Sequence, residues 1–189
     1  ASLATRLELL AANGIRQSRL GPQGNVGRSS VQMRCYYELV RFAARSRGRT
    51  ASPLQICEVG FNAGHSALVL LSAAVDELDD RSLLHARSTN GYANGSTSHL
   101  ARYLGFDLGD LPWTLAAASL INTSTTLFPG AVRLVLGDSA RTAKAALHGV
   151  RRARRSRWPC DVLSIDGNHT IGGVLDDWAS FRRFVRPGT

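Results

Sequence analysis

Residues 54–71 read L-Q-I-C-E-V-G-F-N-A-G-H-S-A-L-V-L-L, and the rest of the chain is organised around them. Leu54 to Val59 alternates loosely and is short enough for a buried strand. Ala67 to Leu71 continues as an apolar helical run. Gly60 and Gly64 bracket the bend between them, where a missing Cβ lets the backbone turn sharply and lets a ligand approach a helix N-terminus closely. A strand, a glycine turn and a helix in that order form one wall of a cofactor pocket.

The spacing of the glycines narrows the cofactor. The dinucleotide fingerprint G-x-G-x-x-G needs a second glycine two positions after the first, so that backbone can touch a pyrophosphate. That position is Asn62, and a diphosphate fits poorly. An acidic residue followed by G-x-x-x-G, here Glu58, Gly60 and Gly64, instead resembles the first motif of class I S-adenosylmethionine-dependent methyltransferases. The run E-V-G-F-N-A-G-H-S-A is similar, more narrowly, to a small-molecule O-methyltransferase-like group that carries I-D-G-x-H further on. This chain has S-I-D-G-N-H-T from Ser164 to Thr170. The resemblance spans roughly Ile56 to Gly188.

A length of 189 residues suits one α/β unit and is short for two domains. Hydrophobic residues make up 44%, yet no apolar run approaches the roughly 20 residues of a membrane span, and no signal-peptide pattern is visible. A soluble chain, cytoplasmic by default, is the expectation. The formal charge is +9, and Lys144 is the single lysine, so arginine carries almost all of it. Arginine suits phosphate and carboxylate partners, but a solvated surface is the expected role, with nucleic acid not a partner. Cys35, Cys57 and Cys160 are an odd, widely spaced set. Cys57 and Cys160 fall in or beside core strands, where a reduced cysteine acts as a small apolar residue, and no zinc or disulfide framework is indicated.

In chain order, residues 1–50 read as an N-terminal helical segment packing on the core. Leu3, Leu7 and Leu10 have helical spacing before Asn13-Gly14, a glycine-bearing loop covers Gly21 to Arg28, and Ser29 or Ser30 caps a helix to about Arg45 with Val31, Cys35, Leu39 and Ala43 on one face. Residues 51–189 read as the Rossmann-like core. Its strands are Leu54–Val59, Arg102–Asp107, Val132–Leu136 and Cys160–Ile165. Helices follow near Gly64, over about Trp113 to Ser124, from Asp138 or Ser139 to about Val150, and from Gly172 to Val185, before Pro187-Gly188. The polar run Ser88 to Ser98 reads as an inserted loop near 81–100. Alternating strands and helices give right-handed βαβ units, hence a doubly wound, mainly parallel sheet with helices on both faces. The resemblance implies seven strands, so with four visible the sheet is expected to be incomplete at the C-terminus. The start at Ala1 likewise reads as a cut.

Ligands of such sheets bind at the carboxyl ends of the strands. Glu58, Asp107, Asp138 and Asp166 each fall within about a residue of such an end, which puts four carboxylates on one rim. The resemblance implies their roles. Gly60 and Gly64, with Asn62 and Ala63 between them, line the methionine part of the cofactor, and Glu58 reaches its amino group directly or through water. Asp107 pairs with the ribose hydroxyls, Asp138 and Ser139 lie near the adenine, and Asp166 and His169 carry the catalysis. Asp166 is also the implied ligand of a divalent cation such as magnesium, although further acidic ligands of the family would lie beyond this chain. His169 has the near-neutral pKa that suits removal of a hydroxyl proton. His65, Asp176 and Asp177 read as structural or helix-surface residues, and Arg151 to Arg157 as a solvated run at the far end of the sheet.

The function implied is methyl transfer from S-adenosylmethionine to a small-molecule acceptor, most simply a hydroxyl oxygen, with homo-oligomers open. Two alternatives from other classes stand beside it. One is a nicotinamide- or nucleotide-binding oxidoreductase domain, and the other is a non-catalytic basic interaction module on a methyltransferase-like core.

Overall fold

The computed structural model describes residues 5, 6, 9, 12, 29–47, 52–89, 100–123, 128–154 and 159–186, by backbone alone at 79–89 and 154. Its elements are α1 (Ser30–Ser46), β1 (Leu54–Val59), α2 (His65–Thr89), β2 (Ala101–Asp107), α3 (Thr114–Asn122), β3 (Val132–Leu136), α4 (Ser139–Arg154), β4 (Val162–Ile165) and α5 (Ile171–Phe181). A single 3₁₀ turn, Arg182–Phe184, follows. The loop expected at 21–28 and the closing Pro187-Gly188 lie outside the described residues, as do residues 90–99 of the inserted loop expected near 81–100, whose first part, 81–89, is instead helical and belongs to α2.

All strand pairings are parallel, in the order β3-β2-β1-β4. The chain builds outward from β1 through β2 to β3, then crosses back to place β4 on the other side of β1. The carboxyl ends of β1 and β4 therefore flank a topological switch point, where a crevice opens in doubly wound sheets. Every residue of β1 is buried, as its position between two strands and two helical layers demands. Ile56 pairs with Tyr103 on one side and Val162 on the other.

One face of the sheet packs against α1, α2 and α3 through Val40, Ala67, Leu70, Leu71, Ala117 and Ile121. The other packs against α4, α5 and the 3₁₀ turn through Ala143, Leu147, Phe181 and Phe184. Fully burying one such large apolar side chain contributes about 1.5–3 kcal/mol. The α/β fold with helices on both faces is thus the one expected, and the described sheet has four strands.

Local structure differs from the sequence expectation in three places. Ser29 caps α1 as expected, with its hydroxyl accepting the Gln32 N–H at 3.2 Å. The packing face of α1 is however Val40, Ala43 and Ala44, while Val31, Cys35 and Leu39 are exposed. α2 runs well past the apolar run Ala67 to Leu71 read from the sequence, through Asp76 and Glu77, because α1 pairs with both acids. Tyr37 donates to Asp76 at 2.7 Å, and Arg41 and Arg45 converge on the buried Glu77 at 2.9 and 3.0 Å.

The third difference concerns the cysteines. Cys57 and Cys160 form a disulfide, with Cα atoms 5.7 Å apart and both residues fully buried. The expectation of reduced, apolar thiols is corrected here. Cys160 leaves the β1 ladder and instead forms a parallel bridge with Val185, which turns its side chain under β1. Cys35 is free and exposed.

Candidate functional site

The glycine turn after β1 is fixed by its surroundings. Gly60 has φ +91°, and a Cβ there would meet the Asp166 carbonyl oxygen at 2.2 Å, so the β1 and β4 loops pass each other at a separation only glycine permits. Gly64 has φ +77°, and its vacant Cβ direction faces the rings and methyls of Phe61 and Ile121 under the turn. It serves packing beneath the loop and is not among the residues lining the cleft.

Above this turn, at the carboxyl ends of the strands, lies a cleft of about 820 Å³, within the range of small-molecule sites. Of the residues expected to form the site, Gly60, Asn62, Ala63, Asp107, Asp138, Ser139, Asp166 and His169 all line it. Glu58 does not. It is fully buried in β1, where its Oε2 accepts hydrogen bonds from Tyr103 Oη and from Ser66 Oγ, the latter at 2.8 Å. Its strand position turns it to the same face as Leu54 and Ile56, and its partner Ser66 lines the cleft. Burial pushes the Glu58 carboxyl up to about 7, against the opposing pull of its hydroxyl donors, and pushes the Tyr103 phenol well above its ordinary range.

Asp107 is the anchor of the turn. Its Oδ2 accepts the N–H groups of Phe61 and Asn62 at 3.0 and 2.9 Å, and its Oδ1 accepts that of Gly109 at 2.8 Å. A carboxylate has about four lone-pair sites, so roughly one remains for a ligand. Asp138 caps α4, accepting the Ala140 N–H at 2.9 Å, and stays half exposed above it. Asp166 and His169 stand at the open rim, with His169 Nε2 3.4 Å from Asp166 Oδ1 and the imidazole 74% exposed. Asn168 and Thr170 shape this turn, Thr170 capping α5 by accepting the Gly173 N–H.

Three cleft residues were assigned to structure by the sequence alone. His65 lines the cleft from the first turn of α2, and Asp176 lines it from α5. Asp177 is only 6% exposed, and its Oδ1 accepts Ser139 Oγ–H at 2.5 Å, tying α5 to the loop after β3. The signal for Asp177 was present in the one-turn spacing from Gly173, which faces the same way. With Asp107, Asp110, Asp138 and Asp166 these make six aspartates around the cleft, and no lysine or arginine is among its described lining residues.

A family model described as a methyltransferase domain matches residues 57–189. The chain belongs to the methyltransferase-domain family. The match runs from the middle of β1 to beyond α5 and covers every residue lining the cleft, and with the parallel sheet it places the fold among Rossmann-like α/β methyltransferases. No protein of curated function matches the chain.

The residues of this methyltransferase domain fit an adenosyl cofactor in volume, in the strand-end carboxylates and in a glycine turn with no free phosphate nest. They fit a metal less well. The described residues contain no group of three His, Cys, Asp or Glu side chains able to hold an ion, and Asp166 Oδ1 faces the imidazole of His169 at 3.4 Å. No helix among them is long and apolar enough to cross a membrane.

Proposed function

We propose that the domain binds S-adenosylmethionine in this cleft and methylates a hydroxyl oxygen of a small-molecule acceptor. The observation that carries the proposal is the convergence of Asp107, Asp138 and Asp166, from the carboxyl ends of β2, β3 and β4, on one cleft beside the glycine turn. When bound, the cofactor supplies an electrophilic methyl group on a cationic sulfur. The chain's contribution is alignment, a negative lining that favours a cation, and a base. Asp107 offers its remaining lone pair to a ribose hydroxyl. His169, oriented by Asp166, takes the proton from the acceptor hydroxyl at the rim, and no step calls for a metal ion.

The oxidoreductase alternative is disfavoured by the same turn. The Phe61 and Asn62 amides that would cradle a pyrophosphate already bond to Asp107, whose charge repels phosphate. A basic interaction module is disfavoured by the acidic lining of the cleft. The buried disulfide further favours a compartment that keeps thiols oxidised over the cytoplasm.

The test is methyl transfer from labelled S-adenosylmethionine to a panel of hydroxyl, amine and thiol acceptors, by the parent chain and by His169→Gln. Labelled hydroxyl products, with a rate reduced about 10²–10⁴-fold in His169→Gln, support the reading. Transfer confined to amines or thiols, or unaffected by the substitution, removes the hydroxyl and base assignments.

A further inference from the structure

Asn62 is the one non-glycine residue with positive φ, +49°, among the described residues. The left-handed region is open to asparagine at some energetic cost, and something must hold it there. Two contacts do so. Its N–H donates to Asp107 Oδ2 at 2.9 Å, and its side-chain Oδ1 accepts the indole N–H of Trp113 at 2.8 Å. Trp113 comes from the loop between β2 and α3, is 2% exposed, and does not line the cleft.

The neighbourhood makes this contact a latch. Phe61, beside Asn62, is buried at 1% and packs edge-on against Tyr103 with ring centroids 5.9 Å apart. Asn62 and Ala63 face the cleft on the other side. The crest of the turn is therefore pinned from below by Phe61, along the sheet by Asp107, and laterally by Trp113. The indole bond acts on the asparagine side chain, and losing it removes a directed hold on the positive-φ residue at the crest of the turn.

We propose that Trp113 is a positioning residue, whose indole N–H acts through Asn62 to hold the glycine turn in the shape that receives the cofactor. This rests on the cofactor reading given above. A tryptophan in this role combines a large buried body, which fixes the nitrogen in space, with a donor that has one direction. Phenylalanine retains most of the body and none of the donor. Glycine in place of Asn62 retains the positive φ and the backbone N–H but offers no acceptor to the indole.

The experiment is a double-mutant cycle of Trp113→Phe, Asn62→Gly and the two combined, with Phe128→Leu as a control that shrinks a buried ring in the loop before β3, at the amino end of the sheet opposite the turn. S-adenosylhomocysteine affinity is measured by calorimetry, thermal stability by melting, and amide hydrogen exchange at 61–63 in the ligand-free chain by mass spectrometry. Each single variant is expected to weaken binding about tenfold and to speed exchange at the turn, and the double variant to be no weaker than either single one. Phe128→Leu is expected to lower the melting temperature while leaving affinity and turn exchange as in the parent.

The proposal is overturned if Trp113→Phe behaves as Phe128→Leu does, losing stability but neither affinity nor protection at 61–63. It is also overturned if the two substitutions weaken binding additively, since independent effects mean no shared bond. Should the parent itself take up no S-adenosylhomocysteine, the cofactor reading falls. The exchange comparison then still decides whether the indole holds the turn.

Discussion

Glu58 shows how one side chain can be recognised and still be misplaced. Its position before G-x-x-x-G was visible, but in a strand buried on both faces a loose alternation does not tell which residues reach the cleft. In the fold it lies among Tyr103, Ser66 and the sheet, with its carboxyl raised from 4.5 to about 7 by burial. The folded state therefore binds a proton that the unfolded state releases near 4.5. Its contribution to stability is complete below that pH and is lost as pH rises through about 7, a fall of about 3 kcal/mol at most. Urea denaturation at pH 5 and pH 8 is expected to show this fall in the parent, and a smaller one in Glu58→Gln. An equal fall in both would assign the pH dependence elsewhere. Trp113 and Asn62 were less legible still, because they are 51 residues apart and no periodicity joins them.

Among the elements, β1, its glycine turn and β3 were readable to the residue, since apolar runs and glycines mark them directly. The packing face of α1 and the length of α2 were not. Both depend on the pairing of Arg41 and Arg45 with Glu77, a contact between helices that neither helix's own pattern encodes. The disulfide is a similar case, joining β1 to the entrance of β4 across a separation of 103 residues. Closing a loop of that size restricts the unfolded chain and contributes up to about 4–5 kcal/mol. Thermal melts of the parent are accordingly expected at a distinctly lower temperature after unfolding and refolding in reductant. The double variant Cys57→Ala/Cys160→Ala should melt at the same temperature with or without it. A parent indifferent to complete reduction would contradict a stabilising bridge.

Over the whole molecule, charge is segregated. The chain carries +9 overall, yet six aspartates and no described lysine or arginine line the cleft. Arg151 and Arg152 are exposed at the end of α4, and the rest of that basic run lies outside the described residues except for Ala153 and the backbone of Arg154. Composition revealed the sum, whereas the topology that gathers strand ends at one edge decides where each sign falls. A cleft of this sign attracts the cationic sulfonium of S-adenosylmethionine more than the neutral thioether of S-adenosylhomocysteine. The ratio of their affinities is expected to narrow as salt rises from 0.01 to about 1 M, where screening shortens to about 3 Å. A ratio independent of salt would mean the lining does not act through charge.

The most direct measurement is a calorimetric titration of the parent chain with S-adenosylhomocysteine and, separately, with NAD⁺. Saturable binding of one S-adenosylhomocysteine per chain, weakened in Asp107→Asn, with no saturable heat from NAD⁺, is the expected result. Saturation by NAD⁺ alone, or S-adenosylhomocysteine binding indifferent to Asp107, would contradict an adenosyl cofactor seated beside the glycine turn.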